Sequence, residues 1–172
     1  MTDLFERVTS QQDPLKKLIA KIPGFKGYIN RVDRRAADKL LRESVSDKFQ
    51  ALWQRLSSIQ RDLVAGGKID VIDDIEVAAV RLRQFIDRVK TAAYGYSGFF
   101  DATKVNEAEL EKVYQYDLAL VTLADEVSNA IDNLEASIDT DGFPASVRNL
   151  NQKAQDCIDA FNKRSEVMKL GQ

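Results

Sequence analysis

Residues 113–138 read VYQYDLALVTLADEVSNAIDNLEASI. Within this stretch Val113, Asp117, Leu120, Ala124, Val127, Ile131, Leu134 and Ile138 are spaced 4, 3, 4, 3, 4, 3 and 4. That alternation keeps one stripe of an α-helix turned toward a neighbouring helix, as in bundles and coiled coils. Asp117 is the one charged residue in the stripe.

The same rhythm extends outward in both directions. Upstream, Val45, Phe49, Leu52, Leu56, Ile59 and Leu63 are spaced 4, 3, 4, 3, 4, and no proline or glycine interrupts the chain from Tyr28 to Ala65. The spacing predicts a helix over 28–65, roughly 55 Å long at 1.5 Å per residue, stopped by Gly66-Gly67. Between the two stripes, Ile75, Ala78 or Ala79, Leu82, Phe85 or Ile86, and Val89 predict a helix over 70–93. Its first turn is acidic (Asp70, Asp73, Asp74, Glu76) and its later turns are basic (Arg81, Arg83, Arg88, Lys90), an order that complements the helix dipole. An aromatic-glycine loop, Tyr94–Phe100, follows, and Asn106 with Glu109 reads as a capping box opening the 113–138 helix. Downstream, the turn Asp139–Pro144 leads into a last helix carrying Val147, Leu150, Ala154, Cys157, Phe161 and Met168. At the other end, Asp13-Pro14 opens a short helix through Leu15, Leu18, Ile19 and Ile22, which Pro23-Gly24 ends. Met1–Ser10, with Leu4, Phe5 and Val8, reads as a peripheral turn. Short loops between long helices favour antiparallel neighbours. The expected fold is therefore all-α: an up-down bundle of four long helices with a short N-terminal basic helix. One domain spans 1–172, with 1–27 a peripheral segment and 28–170 the bundle.

Composition narrows the functions. At 44% hydrophobic and 30% charged residues the chain has enough apolar material for a core and too much for a disordered chain. There is no histidine, hence no imidazole base or ligand. No glycine-rich phosphate loop or paired metal-ligand motif is present, so no catalytic, metal-binding or cofactor-binding residue is expected and the chain reads as a non-enzyme. A net charge of −2 and a pI near 5.3 argue against a nucleic-acid partner. Lacking a signal-peptide pattern and any run of roughly 18 uncharged apolar residues, the chain is expected in the cytoplasm, with a place at the inner face of the membrane as the second possibility. The lone Cys157 lies on an apolar stripe and reads as a core residue.

Three features are candidate sites. Charge is unevenly distributed: from Pro14 to Arg42 nine basic residues oppose two acidic ones, a balance of +7, whereas from Asp101 to Asp141 eleven acidic residues oppose two lysines, a balance of −9. Lys16, Lys17, Lys21, Phe25, Lys26, Tyr28, Arg31, Arg34 and Arg35 thus form a candidate docking segment for a protein partner or an anionic membrane surface. The competing reading packs this segment beside the acidic helix of its own bundle. The aromatic loop (Tyr94, Tyr96, Phe99, Phe100) would either offer a stacking surface or plug an open end of the core. Asp117 would be a buried structural carboxylate, paired with Arg81, Arg83 or Arg35 or bonded to a tyrosine. Four internal helices leave no stripe in need of a second chain, so a monomer is expected.

Pro23-Gly24-Phe25-Lys26-Gly27-Tyr28 with Arg34–Arg42, and Tyr94-Gly95-Tyr96-Ser97-Gly98-Phe99-Phe100-Asp101, resemble a family of small bacterial all-helical proteins with PG(F/Y)KGY and YGYSGFFD motifs, often encoded beside band 7 (SPFH-type) membrane scaffold proteins. The likeness spans roughly residues 14–135. It implies an all-helical protein acting next to a membrane scaffold, and it implies no active-site residue. A weaker likeness is to helical membrane-remodelling proteins of the phage-shock type, but the stops at Gly66-Gly67, Tyr94–Gly98 and Asp141–Pro144 favour a compact bundle over one long hairpin.

Overall fold

The computed structural model describes residues 14–169; the readings of Met1–Ser10 and of Asp13 as a cap lie outside them. Among the described residues there are helices and no strands. The α-helices are α1 (Pro14–Lys21), α2 (Arg34–Ala65), α3 (Ile72–Thr91), α4 (Ser97–Asp101), α5 (Glu107–Ala136) and α6 (Phe143–Met168). The all-α class and the four long helices agree with the periodicity of the sequence. In the bundle α2 packs on α3, α3 on α6, α6 on α5 and α5 on α2, closing a ring, while α1 lies against α5.

Local chemistry sets the element ends. The helix expected over 28–65 begins only at Arg34, because Asn30 takes an extended conformation and accepts the Val32 N–H at 3.1 Å, opening a 3₁₀ turn at Arg31–Asp33 instead. At its other end Gly67 adopts φ +79°, which lets the Lys68 N–H reach the Leu63 carbonyl at 2.9 Å and the Gly67 N–H the Val64 carbonyl at 3.0 Å. This pair of bonds satisfies carbonyls that the helix leaves open. Asn106 caps α5, accepting the Ala108 N–H at 2.8 Å. The aromatic loop is itself helical, a 3₁₀ turn at Ala92–Gly95 followed by α4.

Residues 14–27 are not peripheral. Leu15, Leu18, Ile22 and Phe25 are at most 2% exposed and belong to the same apolar core as the four long helices. An amphipathic helix that finds an apolar groove on its own bundle gains by burying its stripe there, and this one does so on α5.

Candidate functional site

The loop between Ala65 and Ile72 and that between Ala136 and Phe143 lie at one end of the bundle, linked by an ion pair between Lys68 and Asp139. The opposite end gathers the start of α2, the ends of α3 and α6, the start of α5, and the Pro23–Asn30 connection. There the core turns polar. Asp38 and Arg42 continue the α2 stripe at the same 4, 3 spacing that runs on through Val45 and Phe49. Arg164 fills the α6 stripe between Phe161 and Met168, and Asp117 sits in that of α5. Asp38, Asp117 and Arg164 are all 0% exposed.

Arg164 reaches across the bundle and joins the two carboxylates. Its Nε donates to Asp117 Oδ1 at 2.5 Å and its Nη2 to Asp38 Oδ1 at 2.7 Å. The Tyr28 hydroxyl donates to Asp117 Oδ2 at 2.7 Å, and Arg42 Nε donates to Asp38 Oδ2 at 2.7 Å. Arg42 also donates through Nη1 to the carbonyls of Val89 and Lys90, each at 3.0 Å, at the C-terminal end of α3. A cation is favourable there because the last helical carbonyls have no partner in the helix. Two guanidiniums and two carboxylates therefore cancel in charge inside the core. Each carboxylate oxygen accepts a bond, which is the condition under which buried charges are tolerated. Burial pushes the Asp117 carboxyl above its usual range, against the pull of Arg164 and the Tyr28 bond. Burial, then the Asp117 charge, raises the Tyr28 phenol well above its ordinary value, and the surrounding carboxylates hold Arg164 charged despite its burial.

The partner of Asp117 is thus Arg164 together with Tyr28. Arg81, Arg83 and Arg35 are engaged elsewhere: Arg81 donates to the Asn151 carbonyl at 3.1 Å, Arg83 lies over the Trp53 ring, and Arg35 pairs with Asp101 at 2.8 Å. Arg164 escapes a reading of the α6 stripe that counts apolar residues alone. The signal was present in its spacing, three residues after Phe161 and four before Met168.

The docking segment divides in two. Phe25 and Tyr28 are buried in the core, and Arg34 is 3% exposed, with Nε donating to the Tyr28 carbonyl at 3.0 Å and Nη1 to the carbonyls of Phe99 at 3.2 Å and Ala102 at 2.7 Å. These three residues hold the N-terminal connection to the bundle and are withdrawn as docking residues. Lys16, Lys17, Lys21, Lys26, Arg31 and Arg35 are exposed, as is Lys39. Of these, Lys21 faces Asp125 of the acidic helix at 3.6 Å, whereas Lys16, Lys17, Lys26 and Arg31 form no ion pair with a described residue. Lys26 lines a groove of ≈470 Å³ together with Gly24, Gly27, Ile29, Leu40 and the acidic Asp33, and Val32, 85% exposed, stands next to it in the chain.

Of the aromatic loop, Tyr96, Phe99 and Phe100 are buried and pack edge-on against one another or against Tyr28, while Tyr94 is 93% exposed. Three of the four close the polar end of the core, and the Tyr96 hydroxyl adds to the network, 3.1 Å from Ser165 Oγ and 3.4 Å from Arg164 Nη1. Cys157 is fully buried, and burial pushes its thiol up to about 12. Because the thiolate is the reactive species, a thiol reagent such as dithionitrobenzoate is expected to modify the folded chain more than about a thousandfold more slowly than the urea-unfolded chain. Rapid modification of the folded chain would place Cys157 outside the core.

Among the described residues no group of three or more His, Cys, Asp or Glu side chains is placed to hold a metal ion, and no helix is long and apolar enough to cross a membrane. No family model, no curated protein and no solved structure matches this chain.

Proposed function

We propose that this chain is a non-enzymatic protein-interaction module that docks an acidic, partly apolar segment of a partner on its exposed basic face. The observation that supports this reading is the division of residues 14–39. Leu15, Leu18, Ile22, Phe25 and Tyr28 point into the bundle, while Lys16, Lys17, Lys26 and Arg31 point out and pair with no carboxylate among the described residues. Lys26 lines a groove that also carries Ile29. Exposed cations on one face attract an anionic partner, and a partly apolar groove on that face helps to orient it. A membrane-associated scaffold is the partner that the resemblance of the PGFKGY and YGYSGFFD runs implies.

The rival reading, a peripheral membrane binder using residues 15–28, requires the apolar face of that segment to enter the headgroup layer. Here Leu15, Leu18, Ile22, Phe25 and Tyr28 are occupied in the core, which leaves Ile19, 43% exposed, with Ile29 just beyond the segment at 41%, as the large apolar side chains open to a lipid surface. The test compares the parent with a variant carrying Lys16→Glu, Lys17→Glu, Lys21→Glu and Lys26→Glu. On the reading proposed, neither protein sediments with anionic vesicles, and an immobilised parent retains an acidic partner that the variant loses, with retention falling as salt rises. Salt-sensitive sedimentation of the parent, absent in the variant, would replace the partner protein with a lipid surface.

A further inference from the structure

The outward face of α3 carries a second surface, on the side of the bundle diagonal to α5 and α1 and so separate from the basic face. Val77 and Val80 are 43% and 45% exposed, and Ile69 and Val64 near the start of the helix are 68% and 51% exposed. Two shallow grooves, of ≈480 and ≈430 Å³, both reach Glu76 and make this face continuous from Val64 to Gln84. At about 100° per residue, Asp73, Val77, Val80 and Gln84 fall within roughly 60° of arc. The charges along the face are ordered. Asp70, Asp73 and Asp74 form no ion pair with a described residue, and Arg81 and Arg88 bond to a carbonyl and an amide oxygen, while Arg83 pairs with Asp87 at 3.6 Å. The helix dipole accounts for acid-first, base-last order within one chain. It does not account for exposed valines between the two blocks.

We infer that α3 is a self-association surface, with a second copy of this chain laid antiparallel along it. A two-fold axis between Val77 and Val80 makes the contact isologous. Val77 then lies beside the partner's Val80, and Asp74 opposite the partner's Arg81. The same axis brings the acidic start of each helix to the basic end of the other, so the Asp74–Arg81 contact occurs twice. A helix of this length presents a face about 30 Å by roughly 10 Å, well under the about 800 Å² per partner of a standard interface. The dimer is therefore weak and forms only at high protein concentration. It would also display two basic faces at once, which strengthens binding to a multivalent partner.

Sedimentation velocity of the full chain over a concentration series tests this. The parent is expected to shift from monomer to dimer. Val77→Glu with Val80→Glu, both at exposed positions, abolishes the shift while leaving the far-UV circular dichroism unchanged. Asp74→Lys and Arg81→Glu each set like charges opposite one another in their own dimers and lose association about tenfold or more. Mixed in equal amounts, the two variants carry complementary charges at both contacts and recover it. A parent that stays monomeric at millimolar concentration overturns the proposal. So does a dimer indifferent to the valine pair, or a mixture of the charge variants that fails to recover. None of these results bears on partner docking by the basic face, which uses residues outside α3.

Discussion

Arg164→Met is expected to destabilise the fold by about 3–5 kcal/mol, because it leaves a buried carboxylate without its counter-charge. In a chain of this size that lowers the thermal midpoint by roughly 6–20 °C. Asp38 keeps Arg42, 2.7 Å away, so the stranded group is Asp117, left with the Tyr28 hydroxyl alone. The pH dependence identifies it. Asp117 is already held above the usual carboxyl range by burial, with Arg164 the leading opposing influence. Without Arg164 its proton affinity in the fold rises further above that in the unfolded chain. A carboxyl raised in this way favours the fold below its unfolded value and withdraws that stability as pH rises through its folded value. The gap between variant and parent is therefore expected to narrow as pH is lowered from 8 to 5; a constant gap would mean that another group is stranded. Asp117→Leu alone should cost less, since Arg164 retains Asp38, and should leave helicity intact. Combined with Arg164→Met it should recover much of the loss, because the remaining Asp38–Arg42 pair is neutral and the new neighbours are apolar. Thermal unfolding of the four proteins completes the cycle. An Asp117→Leu midpoint equal to that of the parent would mean that the carboxylate contributes nothing to stability.

Gly27→Ala is expected to cost about 2–5 kcal/mol, from two separable causes. Gly27 sits at φ +91°, a conformation that costs an L-residue about 1–2 kcal/mol. A β-carbon there would also stand 2.7 Å from the Tyr114 hydroxyl oxygen and 3.1 Å from Leu15 Cδ1. Tyr114 cannot swing away freely. Its hydroxyl accepts the Tyr28 N–H at 2.9 Å and its ring stacks on that of Tyr28 at 5.5 Å, so the clash adds an overpacking cost of about 1–3 kcal/mol. Gly67→Ala separates the two causes, since Gly67 has a similar φ of +79° and nothing within 4 Å of its β-position. Urea unfolding should show Gly27→Ala losing more than Gly67→Ala, with hydrogen exchange accelerated first in α1 and the Pro23–Asn30 connection. Equal losses would mean that the close approach to Tyr114 yields without cost.

Much of this architecture is legible along the chain because helices are local objects. The 4, 3 spacing through 45–63 and 113–138, the Gly66-Gly67 stop and the Asn106 cap all act within a few residues of themselves, so their reading needs no knowledge of the fold. The start of α2 departed from expectation for an equally local reason: Asn30 competes for the backbone and opens a 3₁₀ turn before the helix can begin. The aromatic motif departed too, because the turn at Ala92–Gly95 and α4 are short helices held by the packing of Tyr96, Phe99 and Phe100.

Amphipathic pattern alone determined that residues 15–28 have an apolar side and a basic side. Whether the apolar side meets lipid, a partner or the chain's own α5 depends on which surface lies within reach, and tertiary packing decided for α5. In the same way the periodicity marked Asp117 as a charge in a core position, since a helix turns its stripe inward whatever residue stands in it. The choice of Arg164, 47 residues away, with Asp38 and Tyr28, was made only when the helices came together. A buried charge accepts the counter-charge that the packed helices bring within hydrogen-bonding distance, and sequence separation does not set that distance.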